Sequence, residues 1–441
     1  MKKLKYIKEI IIISFLILIL AILAFLIPTK NDEKEILNNK TNSNYIINSN
    51  AITMMYETEA GSGEYQTTTN TSWPQEGYIF NERLSGCENG GTLSWNSETN
   101  KVIMESNTSD RCYVYFDIKP LTFAEHIINN IYTADGENGL YYHDGIGSYT
   151  NADQEAGDNS YRYSGADPNN YVCFGSDAET CPNEYLYRII GVFDDNSDGE
   201  YNVKLIKADY TTGDMLGTDG RDYAGNYIED TSYYKGNIDT SAIATYRWNY
   251  DTSVSSLGSN NWATSELNKI NLNTNYLNYL GSSWSPMIED SKWYLGGFTR
   301  NEYDVFNVKL FYNGERNNAG YGSNPTTYGP ENANGNSTKI GLMYPSDYGY
   351  AAYPDAWATY IYDYDSSAIK ENNWLYMGLY EWTITQCSSY AYLAYYLHCG
   401  GAFFRANTNE EYAIRPVFYL KPNISYANGD GTKTSPFRIV V

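Results

Sequence analysis

Six cysteines, three histidines and a large excess of acidic side chains are the residues here that could do chemistry. The cysteines fall into three local couples, Cys87 with Cys112, Cys173 with Cys181 and Cys387 with Cys399, although six cysteines permit fifteen pairings. None of the couples has a zinc-ligand pattern and there is no CxxC among them, so structural disulfides are expected and zinc ligation is not. His126, His143 and His398 are widely scattered, and H-E-x-x-H, G-x-S-x-G and a glycine-rich phosphate loop are all missing. Asp194, Asn196, Asp198 and Gly199 match positions 1, 3, 5 and 6 of an EF-hand loop. The twelfth position, however, is Leu205 and the flanks read as strands, so a polar hairpin turn is expected there. No metal and no cofactor are therefore assigned. With 53 Asp plus Glu in the chain, a carboxylate pair spaced for glycoside hydrolysis stays open as one alternative function.

The densest set of candidate residues lies near the C-terminus. Glu381 stands between Tyr380 and Trp382 in an apolar stretch, where a buried carboxylate needs a partner. Arg415, flanked by Ile414 and Pro416, is the natural one. Gly400 and Gly401 permit a tight bend. Glu381, Trp382, Gly400, Gly401 and Arg415 are accordingly read as architectural. Between these blocks, Thr385 to His398 carries Tyr390, Tyr392, Tyr395 and Tyr396. Rigid aromatic side chains of this kind suit recognition of a protein or a glycan. Ala391, Leu393, Ala394 and Leu397 interleave with them, which suits a core strand equally well.

Three blocks in this region, Gly378-Leu379-Tyr380-Glu381-Trp382-Thr383, Cys399-Gly400-Gly401-Ala402-Phe403-Phe404 and Ile414-Arg415-Pro416-Val417-Phe418, resemble in order those of the formylglycine-generating-enzyme-like branch of the C-type lectin fold. The resemblance implies a C-type-lectin-like C-terminal domain with a ligand face near its last loops. It also implies copper-thiolate oxidase chemistry in the enzymatic members, but no cysteine follows Gly400, so that activity is not carried over. A second stretch, with Cys87, Leu93, Trp95, Asp110, Cys112, Tyr113, Val114, Tyr115 and Phe116, resembles a small module of exported Gram-positive bacterial proteins, and implies surface placement.

The elements that would position these residues read as follows. Ile10 to Ile27 is apolar but for Ser14 and would span roughly 27 Å as a helix, enough for a bilayer core. Lys2, Lys3, Lys5 and Lys8 precede it, so residues 1–9 are expected in the cytoplasm, 10–27 as a transmembrane anchor in the lipid bilayer, and the rest outside the cell. A cleavable signal peptide is the competing reading. Residues 28–55 read as a polar, Asn-rich stalk and 56–119 as a small disulfide-linked β-module. Residues 120–441 are the larger domain. It opens on a Thr122/Glu125 capping box and a helix with Phe123, Ile127, Ile128 and Ile131 on its apolar face. Tyr185 to Phe193 and Tyr201 to Lys207 form a hairpin, Ala263 to Ile270 a helix, Asn313 to Asn336 a loop, and Lys339 to Tyr344 a strand.

The expected fold class is thus α+β and β-rich, with an N-terminal transmembrane helix. The chain carries a formal charge of −23 with 47 Tyr. That field excludes nucleic acid and favours neutral, cationic or cation-bridged partners. The function expected is a non-enzymatic cell-surface binding protein for an extracellular protein or glycan, with a structural envelope scaffold as the alternative.

Overall fold

The computed structural model describes residues 51–440 except 70–72, 76, 97, 100, 106–108, 135, 148, 195–198, 297–305, 317–335 and 389. The chain divides into two compact units between Lys119 and Pro120.

The first unit is a four-stranded sheet in the order Tyr65–Thr68, Ala51–Glu57, Arg111–Ile118, Tyr78–Cys87, with a separate hairpin of Thr92–Asn96 and Lys101–Glu105. Alternation decides its core: Cys112, Val114 and Phe116 turn inward from one strand. Trp73 stacks on Phe116 at 5.2 Å, and Phe80 stacks on Trp95 at 5.9 Å. Asp110, buried, accepts hydrogen bonds from the backbone of Asn89, Gly91 and Arg111 and so locks the turn beside the Cys87–Cys112 disulfide. These three side chains lie close enough to hold a metal ion, but the disulfide consumes both thiolates and leaves one carboxylate.

The second unit holds two larger sheets. The seven-stranded sheet runs in the order Ile340–Gly341, Val417–Tyr419, Asn202–Lys207, Leu186–Phe193, Ser160–Tyr163, Leu140–His143, with Tyr171–Cys173 also paired to Leu186–Phe193. Every residue of Leu186–Phe193 is buried, which is why that stretch is almost continuously apolar. The six-stranded sheet runs Tyr223–Gly225, Thr245–Arg247, Glu411–Ala413, Glu381–Gln386, Leu393–Leu397, Phe403–Asn407. Thr122 and Glu125 form the capping box, with Thr122 Oγ1 accepting from Glu125 N at 3.1 Å.

Several sequence expectations need correction. The transmembrane helix in the expected fold class, and with it the single-pass membrane localisation, is not supported: no helix among the described residues is long and apolar enough to cross a membrane. Ile10 to Ile27 lies outside the described residues, as do the tail 1–9 and most of the stalk. The stalk also ends earlier than expected, because Ala51–Glu57 is a strand pairing in parallel with Arg111–Ile118. Helical structure opens with a single tight turn at Trp262–Thr264 and continues through Leu267–Tyr276 and Leu277–Trp284, so it overlaps the expected Ala263 to Ile270 but runs well past it, and the part from Leu267 has wide turns. There Asn271 and Asn273 donate to the Leu216 and Ile340 carbonyls and hold the segment to its neighbours. The loop expected from Asn313 begins inside a helix, Val308–Arg316.

The third cysteine couple is also corrected. Cys173 and Cys181 are bonded, but Cys387 and Cys399 are not. Strand register explains this: Glu381 faces Leu397 and Gln386 faces Ala394. Cys387 and Cys399 therefore sit at opposite ends of the hairpin, on the order of 20 Å apart at ~3.3 Å per residue, whereas a disulfide needs Cα atoms within about 7 Å.

One buried charge gives a testable consequence of the fold. Lys207, fully buried at the end of its strand, has an ammonium with no hydrogen-bond partner among the described residues. Burial pushes it down from 10.5 to about 8, against the pull of Asp209 and Glu184. Between those two values the unfolded chain binds the extra proton, so stability rises with pH across that window. Lys207→Met should remove this rise and add about 3 kcal/mol near pH 7. Urea denaturation of both proteins from pH 7 to 10.5 measures the difference.

Candidate aromatic recognition face

Register in the six-stranded sheet brings one aromatic side chain from each strand into a single row. Tyr223 pairs with Tyr246, Tyr246 with Tyr412, Trp382 with Tyr396, and Tyr396 with Phe404. The remaining junction is parallel, with Glu381 opposite Ala413, and this sets Tyr412 against both Tyr380 and Trp382. Because side chains alternate, Glu381 and Ala413 then point to the core while the rings share the other face. Ring centroids of Tyr412 lie 4.5 Å from Trp382, 4.6 Å from Tyr396 and 5.5 Å from Tyr380. Phe404 continues the row at 6.2 Å from Tyr396, and Tyr362 packs on Phe404 at 5.0 Å.

Trp382 and Tyr246 are fully buried and form the floor of this row; Tyr223, Tyr380, Tyr396, Phe404 and Tyr412 are half-buried and keep part of each ring open. Burial pushes the Tyr396 phenol up to about 12 and raises those of Tyr380 and Tyr412 as well. All three hydroxyls stay protonated at neutral pH. Beside them, Tyr227, Glu229, Tyr380, Glu410, Glu411 and Tyr412 line a cavity of about 170 Å³. Tyr227 stands at its rim, 69% exposed. Glu411 is engaged by Arg247 across the strand pair. The face thus offers flat apolar rings, phenol donors and carboxylate acceptors side by side.

No family model, curated protein or solved structure matches the chain.

The four tyrosines singled out in the sequence divide between environments. Tyr396 is part of the row. Tyr395, its neighbour on the strand, points the opposite way, is fully buried and meets Phe311 edge-on at 5.8 Å, so it cannot touch a ligand. Tyr390 and Tyr392 pair with each other at 5.7 Å and pack against the core. Sequence reasoning missed Tyr223, Tyr246 and Tyr412 because their alignment depends on strand order. The available signal was an aromatic in each short strand.

The residues read as architectural occupy the ground beneath the row. Arg415 Nε and Nη2 donate to the two Glu381 carboxylate oxygens, each at 2.9 Å, and Nη2 also donates to the Leu375 carbonyl at 2.8 Å. Trp382 Nε1 donates to the Tyr246 carbonyl at 2.8 Å, tying two strands of the row together. Gly401 turns the chain from Leu393–Leu397 into Phe403–Asn407 at a φ of 104°. That positive φ favours glycine, and a Cβ there would also sit tightly against the Tyr364 carbonyl, at 3.1 Å. Gly400 donates from its backbone to His398 Nδ1 at 2.9 Å.

Cys399, His398 and Asp230 adjoin the row and have the residue types of a nucleophilic triad. Cys399 Sγ lies 3.7 Å from His398 Nδ1 and 3.8 Å from Asp230 Oδ2. Their electrostatics oppose a thiolate: burial raises the Cys399 thiol and lowers the His398 imidazole, so the pair rests as neutral thiol and neutral ring. His398 Nδ1 already accepts from Gly400 N. His398 instead holds the turn, and Asp230 is engaged by Ser232.

Proposed function

We propose that this chain is a glycan-recognition protein of an oxidising, extracytoplasmic compartment, built on a C-type-lectin-like plan, with the aromatic row of the six-stranded sheet as its ligand face. The observation carrying this reading is the half-open run of Tyr380, Tyr396, Phe404 and Tyr412 beside the carboxylates of Glu229 and Glu410. Sugar rings present apolar C–H faces and a girdle of hydroxyls. The former suit aromatic stacking, and the latter find donors in the phenols and acceptors in the carboxylates. The cavity beside Tyr412 has room for about one sugar ring, and preformed concave sites with few polar groups are the usual form of such pockets. Acidic charge over the chain favours neutral or amine-bearing saccharides over sulfated or phosphorylated ones. The two disulfides support the compartment.

Screening the full chain on a broad glycan array tests the reading. Tyr412→Ala and Tyr396→Ala should each weaken binding of any hit about tenfold, corresponding to ~1.4 kcal/mol per stacked ring. Tyr390→Ala should leave it unchanged. A folded wild-type protein that binds no saccharide on such an array would sink the proposal.

A further inference from the structure

We propose that Lys204 and Asp347 become joined by an intramolecular amide, a covalent cross-link between the seven-stranded sheet and the helix Pro345–Ala351. Lys204 Nζ lies 2.7 Å from Asp347 Oδ2, and both side chains are fully buried. The Lys204 nitrogen is walled by the rings of Tyr344, Tyr419, Phe193 and Trp293, with centroids between 4.4 and 5.7 Å away. An ion pair in such surroundings bears the desolvation cost of two charges. Transfer of one proton along the existing hydrogen bond turns it into a neutral amine touching a neutral carboxylic acid. Burial, together with the nearby Arg162 and Arg316, lowers the lysine's hold on that proton.

The groups around the pair suit the step that follows. Tyr344 N donates to Asp347 Oδ2 at 2.9 Å and holds the carboxyl in place at the start of its helix. Asp347 Oδ1 has no hydrogen-bond partner among the described residues, and neither has Arg162 Nη1, buried 3.8 Å away. A guanidinium N–H beside that oxygen stabilises the negative charge it gains when Lys204 Nζ attacks Cγ. The C–N bond forms, the C–O bond to the other carboxyl oxygen breaks, and that oxygen leaves as water, carrying the proton lost by the carboxyl's partner nitrogen and the carboxyl proton. Nothing is oxidised or reduced. The dry aromatic cage opposes return of the water, and the product amide has no buried charge to compensate.

Intact mass spectrometry of the full chain, denatured and with its disulfides reduced, decides the matter. The expected mass is one water below that of the sequence. Proteolysis should yield a branched peptide joining the Lys204 and Asp347 segments. Lys204→Met and Asp347→Ala should each restore the full mass, and Arg162→Gln should give a mixture of linked and unlinked chains with Lys204 and Asp347 intact. A wild-type chain of full mass with linear peptides at both positions overturns the proposal without reference to any variant. So does a missing water that persists in Lys204→Met.

Discussion

Glu381→Gln should destabilise the second unit by about 3–5 kcal/mol, because it strands the Arg415 guanidinium in the interior. The wild-type pair is bidentate at 2.9 Å on both arms, with neither side chain more than 2% exposed. Arg415 cannot shed its charge. Glu381 can, since burial pushes its carboxyl up while Arg415 pulls it back. Arg415→Met should therefore cost less than Glu381→Gln, and its cost should shrink as pH falls and the stranded Glu381 takes a proton. A Glu381→Leu/Arg415→Met double variant removes both charges and should recover most of the loss. Urea denaturation of the four proteins at pH 5 and 7 measures these differences. Equal costs for the two single variants at both pH values would contradict this account of the pair.

Reduction of the Cys87–Cys112 disulfide should unfold the first unit while the second remains folded. The bridge closes a loop with a sequence separation of 25, for which loop entropy predicts about 3.5 kcal/mol. A small sheet with few fully buried side chains has little else to draw on. The Cys173–Cys181 bridge closes a separation of only 8, worth about 2.5 kcal/mol by the same relation, and it sits beside a large core. Limited proteolysis of a Cys87→Ser/Cys112→Ser variant should cut within the strands of the first unit, Ala51–Glu57 to Arg111–Ile118, and spare the strands of the two larger sheets of the second. Protection of both units would show that the small sheet stands without its bridge.

What could be seen in the sequence was whatever is encoded locally. Thr122 and Glu125 are three residues apart, and their capping box needs no knowledge of the rest of the fold. The hairpin of Leu186–Phe193 and Asn202–Lys207 follows from two apolar runs around a polar turn. Glu381 and Arg415 could be matched across a long separation because each is a charge set among apolar residues, and such charges must find one another. Strand order and register were not legible. They decide that Cys387 and Cys399 lie at opposite ends of a hairpin, that Tyr395 and Tyr396 face opposite sides, and that Tyr412 reaches Tyr396 across an intervening strand. Ala51–Glu57 was hidden for a related reason: its partner strand, Arg111–Ile118, comes some sixty residues later. The Lys204–Asp347 contact joins positions 143 residues apart, and nothing near either residue announces the other.

The central claim is that ligand meets the aromatic row. A crystal structure of the full chain with an oligosaccharide identified on the array tests it most directly. The account predicts a sugar ring stacked on Tyr412 or Tyr396, with hydroxyls at the Glu229 and Glu410 carboxylates. A saccharide bound instead at the Tyr390–Tyr392 loop, or elsewhere in the chain with this row left bare, would contradict it.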